Sequence, residues 1–216
     1  MSMKTNLDIV AEKILSLLNE NCKNLVSKNS LSSTRAIGDA VQEYLANKGL
    51  TAALNNTNIA HIENDFTRRL MEDMAFADKD GNYYAVDAKT HNLSTHFNMP
   101  NLISVQRLAK FYKNNQNTFC VLIVAYAIEN DQLEYKECYF KPIEAFSWDC
   151  LTLGALGWGQ IQIANANRLI FNQTIDRKKW MLELCDRLSE FYDAEIGKIG
   201  ERKAWFADIR KYWEQQ

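Results

Sequence analysis

Glycine and proline are scarce in this chain of 216 residues, which contains 8 glycines and 2 prolines. Together they make up about 5% of the sequence, against roughly 12% in average proteins. The scarcity predicts few loops and long regular elements. Because the sequence is 47% hydrophobic and 24% charged, it also has enough apolar material for a core, which excludes a disordered or fibrous chain.

The sequence also lacks a strong net charge, a paired cysteine motif and a long hydrophobic run. Its 25 basic and 27 acidic residues leave a formal charge of -2, so a nucleic-acid partner would have to meet a local basic patch. The five cysteines form no CxxC pair, which is typical of reduced core residues. The longest apolar run, residues 119–128, is roughly half the length that a bilayer crossing needs. We therefore expect a cytoplasmic protein without a membrane span or targeting signal.

Hydrophobic periodicity predicts an α/β (α+β) chain forming a single domain over residues 1–216. A helical N-terminal part covers residues 1–50, a sheet core residues 70–165, and C-terminal helices residues 176–216. The predicted helices span residues 6–26, 34–48 (ended by Gly49) and 101–115 (capped by Asn101), and the predicted strands span residues 71–77, 82–89, 118–128, 132–140 and 158–164. The first two strands form a hairpin, and a polar loop fills residues 90–100.

Acidic residues are missing from two long windows, residues 88–128 and 150–175. At uniform density these windows would hold about eight acids. A buried strand such as 119–128 excludes charge of either sign, but the polar remainder carries lysine and arginine among Asn, Gln, Thr and His. A polar surface that avoids carboxylates is suited to face a polyanion.

A carboxylate two residues before a lysine occurs four times: Asp87-Lys89, Glu134-Lys136, Asp176-Lys178 and Glu201-Lys203. The first differs by context, since it ends an apolar strand and directly precedes an acid-free window. Residues two apart in a strand share a face, so Asp87 and Lys89 point the same way, and Asp73 on the partner strand can converge with them.

Two neighbouring carboxylates repel unless a hard cation lies between them. Mg²⁺ takes one or two carboxylates and completes its shell with water and phosphate oxygens, which suits phosphodiester chemistry. The ammonium of Lys89 could then orient the attacking water and offset charge in the transition state. The alternative is that Asp87 and Lys89 form a surface ion pair and Asp73 merely precedes a turn.

Several ordered blocks resemble the type II restriction endonucleases of the PD-(D/E)XK superfamily, in the branch of HincII, SwaI and EcoRV. The blocks are residues 34–45, Glu72-Asp73 with residues 86–90, residues 91–94, residues 99–104 with Leu108-Ala109, and Gln160-Ile161-Gln162 followed by Trp180. They span about residues 34–190. Glu72-Asp73 stands where the family has Pro-Asp. The resemblance implies a central mixed β-sheet flanked by helices.

The resemblance also implies roles for individual residues. Asp73, Asp87 and the carbonyl of Ala88 would ligate Mg²⁺, Lys89 would be the catalytic lysine, and Glu43, or else Asp39, would be an accessory acid. The reaction would be in-line hydrolysis of double-stranded DNA, leaving 5'-phosphates and, by resemblance, blunt ends. A homodimer would read a short palindromic site, each subunit cutting one strand, with a cognate DNA methyltransferase as genetic partner.

Amide side chains in the second acid-free window are candidates for reading bases. Asn and Gln can form bidentate hydrogen bonds to adenine, so Gln160, Gln162, Asn165 and Asn167 are expected at base edges, with a leaning to sites that contain A·T pairs. They could instead decorate an exposed edge strand. Phe97 or Asn98 is expected at a distorted base step. The remaining expected DNA contacts are Thr90, His91, Asn92 and Asn101, with His91 on the polar surface.

Two other functions remain open from the sequence. One is a structure-selective or DNA-repair nuclease with the same fold. The other is a DNA-binding module without catalytic activity.

Overall fold

A computed structural model describes residues 3–23, 25–55, 57–63 and 73–216, with the backbone alone for residues 3–6. Within this part of the chain the helices are α1 (Met3–Asn21), α2 (Thr34–Tyr44), α3 (Leu50–Leu54), α4 (Val105–Phe111) and α5 (Arg177–Glu214). The strands are β1 (Ile59–Glu63), β2 (Met74–Asp78), β3 (Tyr83–Asn92), β4 (Asn101–Ser104), β5 (Asn117–Glu129), β6 (Gln132–Pro142), β7 (Leu151–Gly154) and β8 (Gln160–Ile163). None of the described helices is long and apolar enough to cross a membrane.

A central mixed sheet of five strands organises the fold, in the order β1-β2-β3-β5-β6. β3 and β5 pair in parallel over ten residues each, and the other neighbours are antiparallel. Parallel neighbours need a crossover connection, which here contains β4 and α4. The expected mixed α/β fold, with a central sheet flanked by helices, is confirmed.

The two faces of the central sheet bury different side chains. On β5, Cys120, Leu122 and Val124 belong to a core shared with the N-terminal helices, whereas Val121 and Ile123 belong to a second core. This alternation follows from the two-residue period of a strand. The second core is closed by α4, the start of α5 and a small antiparallel sheet in the order β4-β8-β7. β3 therefore lies between two packed layers.

The predicted hairpin and buried strands are present, with shifted ends. β2 pairs with β3 around the turn at residues 79–82, and β5 and β6 cover the predicted strands 118–128 and 132–140. Residues 71 and 72, including Glu72, lie outside the described residues. Three strands were not predicted: β1 after α3, β4 at the start of the predicted helix, and β7 before the turn that leads into β8.

The helix predicted from Asn101 to residue 115 is wrong at both ends. Residues 101–104 form β4, which pairs with β8 and buries Leu102 and Ile103. The helix begins only at Val105 and ends at Phe111. Two adjacent buried apolar residues are compatible with either a helix or a short buried strand. Pairing with β8 favours the strand.

The sequence predicts that Gly49 ends the second helix, and this prediction is wrong. The chain leaves α2 through a π-helical turn at Leu45–Gly49 and continues directly into α3. Gly49 has helical dihedral angles, and an added Cβ would lie 2.9 Å from the Tyr44 ring. The glycine therefore permits close packing inside the turn instead of supplying a left-handed cap.

α5 is joined to the second core by a buried ion pair at its first residue. Arg177 Nε donates to Glu144 Oε1 at 2.8 Å, and the Tyr112 hydroxyl donates to Glu144 Oε2 at 2.7 Å. The guanidinium also donates to Thr118 and lies over the Tyr112 ring. Burial raises the pKa of Glu144, but the Arg177 charge and the Tyr112 hydrogen bond outweigh it and hold the pKa below its ordinary value.

Arg177→Ala is expected to lower the free energy of unfolding at pH 7 by about 3 kcal/mol, because it leaves the Glu144 carboxylate buried without its cation. Urea unfolding measures the loss, with Lys178→Ala as the neighbouring control. Since the lowered pKa of Glu144 stabilises the fold only above the unfolded-state pKa, the difference between wild type and variant should shrink below about pH 4. Equal stabilities at pH 7 would contradict the anchoring role.

Candidate active site

Asp73 is held against β3 by two hydrogen bonds. It lies one residue before β2, and its backbone N–H donates to the Val86 carbonyl at 2.9 Å. Its Oδ2 accepts from the Ala88 backbone N–H at 2.8 Å. The hairpin therefore places this half-buried carboxylate beside residues 87–89, as the sequence predicts.

Asp87 and Lys89 share a face of β3 and form a short ion pair. Lys89 Nζ donates to Asp87 Oδ1 at 2.6 Å. Asp87 is only 6% exposed, whereas the Lys89 side chain keeps a quarter of its surface exposed. The second carboxylate oxygen of Asp87, Oδ2, is buried and has no hydrogen-bond partner among the described residues. An orphaned buried carboxylate oxygen is costly unless a ligand supplies the missing partner.

The electrostatics of Asp87 reflect this environment. Burial raises the pKa of the Asp87 carboxyl to about 7; the Lys89 ammonium lowers it in part, and the negative charge of Asp73 raises it further. Asp73 lies close enough to act in this way, because its Oδ2 accepts a hydrogen bond from the backbone N–H of Ala88, the residue after Asp87. Strongly perturbed acids cluster at functional sites, although structural ion pairs also shift pKa values.

The second carboxylate-x-lysine motif in a strand provides an internal comparison. On β6, Lys136 Nζ also donates to Glu134 at 2.6 Å. Both side chains are more than a third exposed, and the hydrogen bond and charge of Lys136 lower the pKa of Glu134. The same spacing thus gives an ordinary surface ion pair on β6 and a buried, incompletely partnered carboxylate on β3. The surface-pair alternative for Asp87 and Lys89 does not fit the structure.

The two aspartates line one open cleft of about 500 Å³. Its opposite wall comes from β4, α4 and the turn before β8, and includes Ser104, Arg107 and Gln160. Gln160 was predicted as a base-reading residue, whereas Arg107 is a basic residue of the first acid-free window to which the sequence assigned no role. The sequence did not predict Ser104, Gln106 or Trp158 in this cleft. The first two are placed by the end of β4 and the start of α4, and Trp158 by the turn before β8, none of which the predicted helix and strand described correctly.

A second cleft of about 370 Å³ lies where α2 crosses β3. The approach is close, since a Cβ added at Gly38 would lie 3.1 Å from Thr90 Oγ1. Asp39 and Thr90 line this cleft, and Lys89 lies between the two clefts because it also bonds Asp87. Glu43 lines a different cleft with Asn47 and Lys48. The structure therefore brings Asp39, and not the preferred Glu43, to the strand that carries the site.

His91 is buried, at 2% exposure, which corrects its expected place on the polar surface. Its Nε2 lies 2.8 Å from Asn167 Oδ1, and its Nδ1 lies 3.4 Å from Asn98 Nδ2. Asn167 Nδ2 also donates to the carbonyl of Thr95. The odd-numbered side chains of β3 face the second core, so His91 joins the loop after β3 to the loop after β8.

Of the remaining predicted DNA contacts, Thr90, Asn92 and Asn98 line the second cleft, and the others lie in β4, β8 and the loops after β3 and β8. The Gln162 amide donates to Asn101 and lies beneath Gly154, where an added Cβ would meet it at 2.6 Å. Asn165 accepts from the Asn167 backbone, and Asn92 accepts from the Ser94 backbone. Phe97 is 60% exposed on its loop. The structure thus leaves Phe97 and Gln160 available to a partner and bonds most of the predicted amides internally.

The donor set of Asp73 and Asp87 fits a magnesium ion. No group of three or more His, Cys, Asp or Glu side chains in the described ranges is arranged to hold a metal. Mg²⁺ needs only one or two protein carboxylates, and Asp87 Oδ2 is a buried anionic oxygen without a partner. The Ala88 carbonyl stays a predicted ligand.

No protein-family model and no curated protein matches this sequence. The functional assignment therefore depends on the geometry and electrostatics of the site.

Asp87→Asn is expected to raise the free energy of unfolding of the metal-free protein at pH 8 by on the order of 1–3 kcal/mol, because it removes a costly buried charge. The folded state keeps the Asp87 proton up to about pH 7, whereas an unfolded aspartate releases it near pH 4. Wild-type stability should therefore decrease between pH 4 and 7, and the gain from the substitution should grow over that interval.

Urea unfolding in the presence of a chelator measures both trends, with Asp186→Asn on the exposed side of α5 as a control. A loss of stability at pH 8 would show that the bond to Lys89 outweighs the burial of the charge.

Proposed function

We propose that this chain is a Mg²⁺-dependent deoxyribonuclease of the PD-(D/E)XK superfamily, acting as a type II restriction endonuclease. The observation that carries the proposal is the buried Asp87 carboxylate, with one oxygen bonded to Lys89, the other unpartnered, and Asp73 in the same cleft. A mixed central sheet flanked by helices is compatible with the superfamily fold and supports the proposal.

Lys89 is suited to act on the attacking water and on the phosphate. Its ammonium has three N–H donors, of which one is directed at Asp87 Oδ1. The partial exposure of the side chain leaves the other donors accessible from the second cleft, which Lys89 lines. Held beside Asp87, the ammonium can orient a water molecule for in-line attack and stabilise negative charge on the phosphoryl oxygens.

Asp73 and Asp87 would hold the metal ion. When bound, Mg²⁺ supplies Lewis-acid stabilisation of the phosphate and of the departing 3'-oxygen. The Ala88 N–H fixes the rotamer of Asp73 by bonding its Oδ2, and β3 fixes Asp87 between β2 and β5. These contacts preorganise both carboxylates before substrate binds. Asp39 is the better placed candidate for an accessory acid.

The walls of the first cleft support DNA as the substrate. Arg107 and Gln160 line it together with the aspartates, and both belong to the acid-free windows. Arginine contacts phosphates, and glutamine can read adenine in the major groove. Exposed Phe97 on the loop after β3 could enter a base step. A two-fold dimer reading a palindrome, with blunt 5'-phosphate products and a protective methyltransferase, completes the proposal.

Lys89→Ala is expected to reduce Mg²⁺-dependent cleavage of plasmid DNA by at least about 10²–10⁴-fold while DNA binding is retained, because the lysine acts on the reacting groups. Agarose-gel digestion measures cleavage, and gel shifts in Ca²⁺ measure binding. Lys136→Ala is the matched control, since it removes a lysine from the same motif with the same 2.6 Å bond on an exposed strand.

The pattern of cleavage separates the candidate activities. Discrete bands from plain plasmid support a restriction endonuclease, and cutting confined to branched or mismatched DNA indicates the structure-selective nuclease instead. Binding without cleavage under any divalent ion would identify a DNA-binding module. Equal activity of Lys89→Ala and wild type would refute the catalytic role of Lys89.

Gln160→Ala is expected to relax site choice and slow cognate cleavage by about 10- to 100-fold, since a lost bidentate base contact typically costs 1–3 kcal/mol of discrimination. Sequencing the ends of genomic digestion products measures the change at each position of the site. Gln132→Ala, at the exposed turn between β5 and β6, is the control. Unchanged ends and rate in Gln160→Ala would exclude base reading by this residue.

A further inference from the structure

The outer part of α5 extends beyond the packed body of the protein. The last side-chain bond from α5 to another element is the hydrogen bond from the Tyr192 hydroxyl to the Trp158 carbonyl. From residue 193 to the end of the helix, the bonds among the described residues are internal to α5, such as Lys198 to Glu195 and Arg210 to Glu214. We call residues 193–214 the distal segment, which is about 33 Å long.

The distal segment exposes large apolar side chains. Between 51% and 68% of each of the following is accessible: Ile196, Ile199, Trp205, Phe206, Tyr212 and Trp213. Single exposed apolar residues are ordinary, but a run of this size marks an interaction surface. Aromatic side chains can bury about 150–250 Å² each, so covering this surface would bury roughly 700 Å² per chain. Ile196, Ile199, Phe206 and Trp213 lie on one side of the helix and account for roughly 500 Å² of this area, so two copies would bury about 1,000 Å², the lower bound of a specific interface.

Part of this exposed surface continues the stripe by which α5 packs on the body. Leu184 is buried and Leu188 packs on the second core. The next positions at a spacing of four and then seven residues are Tyr192, Ile199, Phe206 and Trp213, which lie on the same face of the helix. The stripe follows a heptad spacing, which suits the side of another helix.

The isolated segment also contains features that weaken a lone helix. Gly197 and Gly200 lie in its interior, and a Cβ added to either would meet no atom within 4 Å. Interior glycines destabilise an exposed helix, and most helical stability in proteins comes from packing of an apolar face, which this segment lacks. Packing against another surface would supply the missing stabilisation.

Charge along α5 is divided between its two ends. Residues 186–195 carry four acids and one base, whereas residues 196–214 carry five bases and three acids. In an antiparallel pair of α5 helices, residues 189–195 of one copy, with three acids and no base, can lie against residues 210–216 of the other, with two bases and one acid. A register that sets Ile199 against Phe206 of the second copy also sets Glu195 against Arg210. The charges therefore favour a second copy of this chain in the antiparallel orientation.

We propose that the distal segment of α5 is the dimerisation surface of this protein, packed antiparallel against the same segment of a second copy. The contact is isologous, so each Glu195 meets the Arg210 of the other chain and the apolar stripe forms its centre. This inference stands on α5 alone and does not depend on the nuclease activity, which is assayed separately.

Sedimentation equilibrium of the full chain tests the apolar centre. We expect wild type to have the mass of two chains, and Phe206→Asp to raise the dimer dissociation constant at least about 100-fold because each dimer loses two central contacts. Ala204→Asp adds the same charge on the opposite side of the helix and should change the constant less than about threefold. A monomeric wild type, or a dimer that Phe206→Asp leaves intact, would overturn the proposal.

Charge exchange tests the orientation. Glu195→Arg and Arg210→Glu should each weaken their own homodimer about tenfold, whereas a mixture of the two variants should form a heterodimer at least as tight as wild type. Lys211→Glu, outside the stripe, serves as the control for Arg210→Glu. If the mixture shows no preference for the heterodimer, the antiparallel pairing is wrong. If Phe206→Asp weakens DNA binding without changing mass, the segment contacts DNA instead.

Discussion

The burial of the Asp87 charge is the constraint on which the proposed site depends. Water would stabilise this carboxylate, but β2 and β5 flank its strand and the second layer packs over its face. Lys89 compensates one oxygen at 2.6 Å, and the other oxygen has no partner in the described part of the chain. A buried and incompletely paired charge lowers the free energy of unfolding, and such costly arrangements are typical of ligand-binding sites.

The buried Glu144 shows how the same fold treats a carboxylate with a structural role. Glu144 is fully enclosed, yet both of its oxygens are bonded, one to Arg177 and the other to Tyr112. Its pKa is lowered, whereas that of Asp87 is raised. The two carboxylates lie against the same core, so the difference arises from partners and not from burial. Complete pairing anchors α5, and incomplete pairing leaves Asp87 with binding capacity.

The layered architecture explains how distant segments meet around Asp87. β3 presents Asp87, Lys89 and His91 toward the second layer, because alternate residues of a strand share a face. The small sheet and α4 then bring Arg107 and Gln160 across the cleft. His91 hydrogen-bonds the loops that follow β3 and β8, and Asn167 joins the same two loops by bonding the Thr95 carbonyl. Rigid elements thus position the candidate chemistry, and loops surround it.

The sequence by itself determined the elements whose signals are local. The Asp-Lys-Asp-Gly turn between apolar runs predicted the hairpin, and the two-residue strand period placed Asp87 and Lys89 on one face. The tertiary structure decided what depends on distant partners. Residues 101–104 pair with β8 and are therefore a strand. α2 brings Asp39 to β3, whereas Glu43 lines another cleft, and His91 is buried under two loops. Periodicity indicates which residues of a strand share a face, but it does not indicate what covers that face. Burial by distant segments is what distinguishes Asp87-Lys89 from the same motif at Glu134-Lys136.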